Sequence, residues 1–309
     1  MRTAALFVIV FFLSARPLVS VSQVVNDLTE QKLVGKVKSL TEYSFIVKRV
    51  HGKTQKEYTG KTLSVYNQLG NKDNDYTYNA DGSLENSTVF NYNKEGVLEQ
   101  EDGYNGDGSP AYTNVYKSDK DGNFTLIKLY NGAGNLFLTT VCHYDKDGNE
   151  TAEVNYTQVM EREKMREAVL DKTVWQYDKD GNKTKEQYLE GDSAVIRTAY
   201  FSYDGNGNMA ERVNSENGFK LKTTYKYDVR GNQVEETQFD VTGKIITRIA
   251  TVYEEKGNIS EQTFFDKDNR LQTHTVFSFT YDQHGNWIRK VQTNNNRVVA
   301  ITDREVTYY

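Results

Sequence analysis

The hexapeptide Tyr-Asp-Lys-Asp-Gly-Asn occupies positions 144–149 and recurs unchanged at positions 177–182. Asp145 suits the first position of a type I turn, where its carboxylate can accept a hydrogen bond from the backbone two residues later. Gly148 suits the fourth position, because that residue adopts a left-handed conformation that only glycine reaches without steric cost. A type I turn followed by a left-handed glycine is a common closure of a β-hairpin. The hexapeptide therefore predicts a hairpin turn, with Tyr144 as the last strand residue before it.

Related turn sequences recur at a nearly constant spacing along the chain. The copies begin at positions 66, 92, 118, 144, 177, 203, 227, 253 and 281, in steps of 26, 26, 26, 33, 26, 24, 26 and 28 residues. A second, looser turn follows many copies after about 12 residues, for example at Tyr78 and Phe239. Each period therefore contains two strands and two turns, and this spacing of turns indicates an all-β protein.

The stretches between the turns alternate in polarity. In positions 219–227, Phe219, Leu221, Tyr225 and Tyr227 alternate with three lysines and a threonine. A period of two over nine residues is typical of a half-buried strand. An aromatic residue also stands two positions before the turn tyrosine in most copies, so the same face repeats from hairpin to hairpin and aromatic side chains can pair across strands.

The number of strands limits the architecture. About eighteen strands would form a sheet on the order of 85 Å wide, whereas open twisted sheets rarely exceed about ten strands without curling or splitting. We therefore predict an all-β, antiparallel meander of about nine 26-residue hairpins that forms a large curled sheet, shell-like or superhelical. A β-propeller is the alternative, although the spacings lack the longer connection expected after every fourth strand.

The N-terminus predicts export. Ten apolar residues without a charge, at positions 4–13, follow Arg2, and the small residues Ser20 and Ser22 come after them. This pattern is typical of a secretory signal peptide, which we place at residues 1–22. The only cysteine, Cys142, is far from that cleavage site, so we expect an exported protein of the periplasm, cell surface or medium rather than a lipoprotein.

The remaining chain divides by the regularity of its repeats. Residues 23–65 have the character of a degenerate first repeat unit, and residues 66–309 form the repeat domain. The 33-residue step places an insertion at about 156–171. This insertion is either a short surface helix, since it contains good helix formers, or two lengthened strands with a charged tip.

Composition and motifs argue against several functions. The net charge of −5 comes without a basic patch, so nucleic acid is not an expected partner. No later stretch is apolar enough to span a bilayer as a helix. Motifs for an activated nucleophile and for zinc are absent. Counted as a calcium loop, the 144–149 turn places His143 and Val154 at positions that require oxygen ligands. We therefore predict no enzyme, no catalytic residue, no metal and no cofactor.

The repeated motif resembles that of a known family. Tyr225-Lys-Tyr-Asp-Val-Arg-Gly-Asn232 resembles the YD repeats of bacterial Rhs-type proteins. The last unit, Tyr281 to Tyr309, resembles that of small exported YD-repeat proteins of Bacteroidetes. The resemblance covers about residues 33–309 and implies a spiralling β-sheet, with carbohydrate binding as a property often ascribed to the family. The large relatives enclose a toxin domain and end in a proline-bearing self-cleavage region. The resemblance does not imply either property for this chain.

The aromatic residues are the candidates for function. Most of them lie on the strand face that forms the core. Aromatic residues at strand ends, beside Asp and Asn, could instead stack on a sugar ring. The candidate binding residues are Trp287, Trp175, Tyr144 and Tyr177. We expect a non-catalytic binding or surface-interaction protein, with glycans or a cell-surface partner as candidate ligands. A polysaccharide-acting hydrolase and a purely structural scaffold are the alternatives, and function is expected where the repeat breaks, at 156–171, or on the curled surface itself.

Overall fold

The computed structural model describes residues 26–161, 164–216 and 218–309. The predicted signal peptide at 1–22 lies outside the described residues. The elements in chain order are α1 (Asp27–Glu30), β1 (Val37–Val50), β2 (Lys53–Tyr66), β3 (Lys72–Asn79), β4 (Leu84–Tyr92), β5 (Leu98–Asn105), β6 (Pro110–Ser118), β7 (Phe124–Asn131), β8 (Leu136–Tyr144), β9 (Glu150–Glu161), β10 (Lys164–Tyr177), β11 (Lys183–Glu190), β12 (Ala194–Tyr203), β13 (Met209–Glu216), β14 (Phe219–Tyr227), β15 (Gln233–Phe239), β16 (Ile245–Tyr253), β17 (Ile259–Phe265), β18 (Leu271–Tyr281), β19 (Trp287–Asn294) and β20 (Arg297–Tyr308). None of the helices in the described part of the chain is long and apolar enough to cross a bilayer.

The strands form one closed antiparallel barrel. Each strand pairs with the next one along the chain, and β1 also pairs with β20, for example Thr41 with Glu305. The all-β prediction is confirmed, but the predicted curled sheet, shell-like or superhelical, is wrong, and so is the propeller alternative. The degenerate first unit supplies β1 and β2, and β1 completes the ring by pairing with the last strand. A ring leaves no edge strand with unpaired backbone groups.

The strands are staggered as a closed barrel requires. The paired residues can be followed around the sheet from Asn91 through Gln100, Val115 and Lys128 to Thr139. Asn91 lies one residue before the turn motif that ends β4. Val115 lies three residues before the motif that ends β6, and Thr139 lies five residues before the motif that ends β8. The offset of two residues per hairpin corresponds to tilted strands. Twenty strands at a tilt of roughly 40° enclose a barrel roughly 40 Å across.

The turns have the predicted chemistry. In the 144–149 copy, Asp145 Oδ1 accepts hydrogen bonds from the backbone N–H of Asp147 and of Asn149, each at 2.9 Å. Gly148 has a φ of 83°, and the register shifts between His143 and Tyr144, as a G1 bulge requires. The predicted type I turn with a left-handed glycine is therefore confirmed. The insertion at 156–171 consists of the two lengthened strands β9 and β10, which pair as far as Glu161 and Lys164.

The face that carries the turn tyrosines is the inner face of the barrel. Side chains converge on a concave face, and burial raises the pKa of Tyr66, Tyr92, Tyr116 and Tyr144, all of which lie on this face. The outer face carries ion pairs such as Lys226–Glu235, with 2.6 Å between Nζ and Oε1. Among the described residues only Tyr66 and Val37 are large side chains with less than 2% exposure. The barrel interior is therefore a partly solvated lumen and not a filled core.

The segment 26–36 closes the inner face where the first and last strands meet. Turns join the other strands at this rim, but no turn joins β20 to β1, because they are the last and the first strand of the barrel. The backbone N–H of Leu28 donates to Gly70 O at 3.1 Å on one side, and that of Val34 donates to Asn286 Oδ1 at 2.7 Å on the other. The buried cluster here, which we call the seam cluster, contains Leu28, Leu33, Val37, Leu40 and Tyr66, with Val306 and Tyr308 packed against it. The segment thus takes the place of a tenth turn.

The turn aspartates predict acid-sensitive stability. The side-chain amide of the following asparagine, and then its backbone N–H, lower the pKa of Asp145, Asp204 and Asp228. The pKa of an aspartate in an unfolded chain is about 3.9. Because the folded pKa lies lower, these turns stabilise the fold fully above that pH, and the contribution is lost as the pH falls through the folded pKa. We expect a lower urea midpoint at pH 3 than at pH 7. Replacing all three residues with asparagine should reduce this dependence, because other turn aspartates keep theirs. An unchanged dependence would contradict the assignment.

Candidate functional site

Two of the four predicted site residues, Tyr144 and Tyr177, have a structural role. Both lie on the inner face, and their hydroxyls donate to the backbone carbonyls of Phe124 and Glu150 at 2.9 and 2.7 Å. The same bond recurs from Tyr203 to Lys183, from Tyr227 to Met209 and from Tyr253 to Gln233, at 2.8, 2.9 and 3.1 Å. Each acceptor is the first residue after the preceding turn motif. The tyrosine thus ties each strand end to its neighbour, and burial raises the pKa of Tyr177 to about 12.

A third predicted residue, Trp287, is covered on one face. The guanidinium of Arg304 lies 3.3 Å from the centre of the indole ring, and the ring of Phe279 meets it edge-on with 6.1 Å between centroids. Arg304 is itself held by Glu42, with 2.9 Å between Nε and Oε1. A residue of the last strand therefore occupies one stacking face of Trp287, and Phe279 packs against the same ring.

Trp175 stands in a different environment. It lies on the inner face of β10, only partly buried, and its indole N–H donates to Glu186 Oε2 at 3.1 Å. The ammonium of Lys183 lies 4.7 Å from the centre of the indole ring. Trp175 and Glu186 are opposite each other in the β10–β11 pairing, so the hairpin itself sets this geometry.

The polar and aromatic groups around Trp175 continue onto the next strands. Arg197 Nη2 lies 3.9 Å from Glu186 Oε1, and the Arg197 guanidinium lies 5.7 Å from the ring of Tyr188. On β13, the guanidinium of Arg212 lies 5.6 Å from the ring of Phe201. We call the set Trp175, Lys183, Glu186, Tyr188, Arg197, Phe201 and Arg212 the aromatic wall. It presents aromatic rings beside carboxylate and guanidinium groups on one side of the lumen.

A thiol and two carboxylates meet beside the aromatic wall. One ligand-type atom from each of Cys142, Glu150 and Glu153 lies within 4.8 Å of the others. Burial raises the pKa of Glu150, and burial together with Glu150 raises the pKa of the Cys142 thiol to about 12. Cys142 and Glu150 are also hydrogen-bond partners, so the three groups form a small polar cluster on the inner face.

The predicted site residues are thus only partly brought together. Tyr144 lies on β8, and Trp175 and Tyr177 lie on β10, on the other side of β9, whereas Trp287 lies on β19. Glu186, Arg197 and Arg212 were not predicted. A signal for Glu186 was present in the sequence, because folding the chain about the turn at 178–182 places Glu186 opposite Trp175.

Comparison with known proteins gives no assignment. No protein-family model matches this sequence, and no curated protein does. Among solved structures, a porin-like protein from Bacteroides uniformis has a TM-score of 0.38 at 10% identity, with 89% of this chain and 98% of that chain covered. A porin-like protein from Bacteroides vulgatus has a TM-score of 0.33 at 11% identity, covering 88% and 98%. The structure of TcdB2-TccC3 has a TM-score of 0.27 at 13% identity, and the match covers 78% of this chain but 16% of that one.

Proposed function

We propose that the chain is an exported, non-catalytic binding protein of the YD-repeat type that holds a carbohydrate in the barrel lumen against the aromatic wall. The observation that carries the proposal is Trp175, a partly exposed indole on the inner face whose N–H is already fixed by Glu186. An indole held in place by its N–H offers a rigid apolar face, and little side-chain freedom is lost when a ligand stacks on it.

The neighbouring charged groups fit the same ligand class. Sugar hydroxyls donate to carboxylates and accept from guanidinium and ammonium groups. Glu186 lies within reach of both Trp175 and Arg197, so one wall offers a stacking face, an acceptor and a donor side by side. Small-molecule sites usually combine aromatic surface with a few convergent polar groups in this way.

Trp175 provides the test. Glycan-array screening of the mature protein should identify a ligand, and calorimetry should then show that Trp175→Ala weakens its binding about tenfold or more. Trp175→Phe keeps a ring in place and should retain most of the affinity. Tyr200→Ser is the matched control, because Tyr200 is an aromatic residue of the outer face, 51% exposed. An array on which no glycan binds, or equal losses of affinity in Trp175→Ala and Tyr200→Ser, would contradict the proposal.

One observation favours hydrolysis of a polysaccharide as a second function. Glu150 is the only carboxylate at its position after a turn motif, its pKa is raised by burial, and Glu153 is close by. A pair of carboxyls, one of them with a raised pKa, is what a glycosidase uses. Incubating the bound oligosaccharide with the protein separates the two functions. New reducing ends that disappear in Glu150→Gln would establish an enzyme, and an intact oligosaccharide supports binding alone.

A further inference from the structure

A cavity opens at the rim opposite the seam cluster. It has a volume of about 540 Å³ and lies between β12 and β16, next to the turn that joins β15 to β16. Its size is within the range of pockets that hold small ligands, roughly 300–1,000 Å³.

Apolar side chains line much of this cavity, and three of them are unusually exposed. The apolar lining residues are Phe219, Leu221, Val241 and Ile246, of which Leu221 is partly buried. Phe219 is 77% exposed, Val241 68% and Ile246 42%. Exposed apolar side chains that group around a concave site mark a place where apolar surface is covered by a ligand or partner.

Two arginines contribute the polar part of the cavity. Arg212 Nε donates to Asn214 Oδ1 at 2.9 Å, which fixes the guanidinium plane, and its two terminal nitrogens have no hydrogen-bond partner among the described residues. Arg197 also lines the cavity, and its nearest carboxylate oxygen, from Glu186, is 3.9 Å away. A fixed guanidinium with unused donors is suited to the two oxygens of a carboxylate.

The acidic residues of the cavity do not cancel these charges. Asp240 is committed to its own turn, where Oδ1 accepts from the backbone N–H of Thr242 and of Lys244 at 2.8 and 3.0 Å. Glu216 is the other acidic lining residue, against Arg197, Arg212 and Lys220. The cavity therefore combines an apolar lining with a net positive charge.

We propose that this rim cavity binds an anionic amphiphile, with its carboxylate on Arg212 and Arg197 and its apolar chain against Phe219, Leu221, Val241 and Ile246. The rim cavity shares Arg197 and Arg212 with the aromatic wall, but its apolar lining is separate from the stacking face of Trp175. Its ligand class also differs from the carbohydrate proposed for the aromatic wall. Substitution of Val241 changes only the rim cavity and substitution of Trp175 changes only the aromatic wall, so failure of one proposal can be told from failure of the other.

Calorimetry with decanoate tests the rim cavity. We expect saturable binding of decanoate to the intact protein, below the concentration at which decanoate forms micelles. Decyltrimethylammonium, which has the same chain and the opposite charge, should bind at least tenfold more weakly. Arg212→Gln should weaken decanoate binding about 10- to 100-fold, as expected for loss of charge-assisted hydrogen bonds.

A pair of valines supplies a matched control. Val241 and Val229 each follow the first aspartate of a turn, but their turns lie at opposite ends of β15, and both side chains are exposed, 68% and 105%. Val241→Glu adds a negative charge at the cavity mouth and should weaken decanoate binding several-fold, whereas Val229→Glu should leave it unchanged. Both variants should fold, since neither position is buried. No saturable binding, equal binding of the two amphiphiles, or equal effects of the two valine variants would overturn the proposal.

Discussion

Replacing Tyr66 with alanine is expected to lower the free energy of unfolding by about 3–5 kcal/mol, the usual cost of truncating a buried aromatic residue. Tyr66 has 0% exposure and lies at the centre of the seam cluster. Its hydroxyl donates to Gln31 Oε1 at 2.7 Å, and its carbonyl accepts from the hydroxyl of Tyr309. One side chain thus ties segment 26–36 to β2, beside the last residue of the chain. Urea unfolding followed by circular dichroism measures the loss.

Two further variants give this prediction its control. Tyr66→Phe keeps the ring and removes only the bond to Gln31, so we expect a loss of about 1 kcal/mol. Tyr253 occupies the same motif position in another repeat, where its hydroxyl donates to Gln233 O, but it lies outside the seam cluster. Tyr253→Ala should therefore cost clearly less than Tyr66→Ala. Equal losses at the two positions would mean that the seam cluster has no special role in closing the barrel.

The local structure could be predicted from the sequence because it depends on neighbouring residues. Asp145 and Gly148 determine their turn through contacts within five residues, and alternation along 219–227 determines a strand. Closure depends on different information. It requires the register between Thr41 and Glu305, which are at opposite ends of the chain, and no local pattern encodes that pairing. The two strands of the degenerate first unit also raised the count from about eighteen to twenty.

The candidate site was predictable only in part, for a related reason. Tyr144 and Tyr177 lie beside polar turn residues, as expected for residues that stack on a sugar ring. Their hydroxyls, however, donate hydrogen bonds to backbone carbonyls of the adjacent strand. Trp287 is covered by Arg304, a residue of β20 that the register places close to the indole ring. Trp175 remains as a partly exposed indole, and its partner Glu186 comes from the same hairpin. The pairing of adjacent strands could be inferred from the turns, whereas the side-chain contacts that occupy the tyrosine hydroxyls and the Trp287 ring needed the structure.

Closure of the barrel is the central claim, since the lumen, the aromatic wall and the rim cavity all depend on it. A disulfide between the first and last strands tests it most directly. Thr41 and Glu305 are paired across the seam. Paired residues of antiparallel strands have Cα atoms about 4.5–5.5 Å apart, within the range that a disulfide spans. In an open sheet of twenty strands they would be on the order of 90 Å apart.

The measurement is oxidation of Thr41→Cys/Glu305→Cys in a Cys142→Ser background, followed by thiol counting and urea unfolding. The account predicts an intramolecular disulfide in nearly all molecules and a gain of about 4–5 kcal/mol, because the bond closes a loop of nearly the whole chain. The control pair Thr41→Cys/Gln187→Cys places the second cysteine on β11, which the strand order puts across the barrel, and it should stay reduced within the monomer. Free thiols or only intermolecular disulfides in the Thr41/Glu305 variant would contradict a closed barrel.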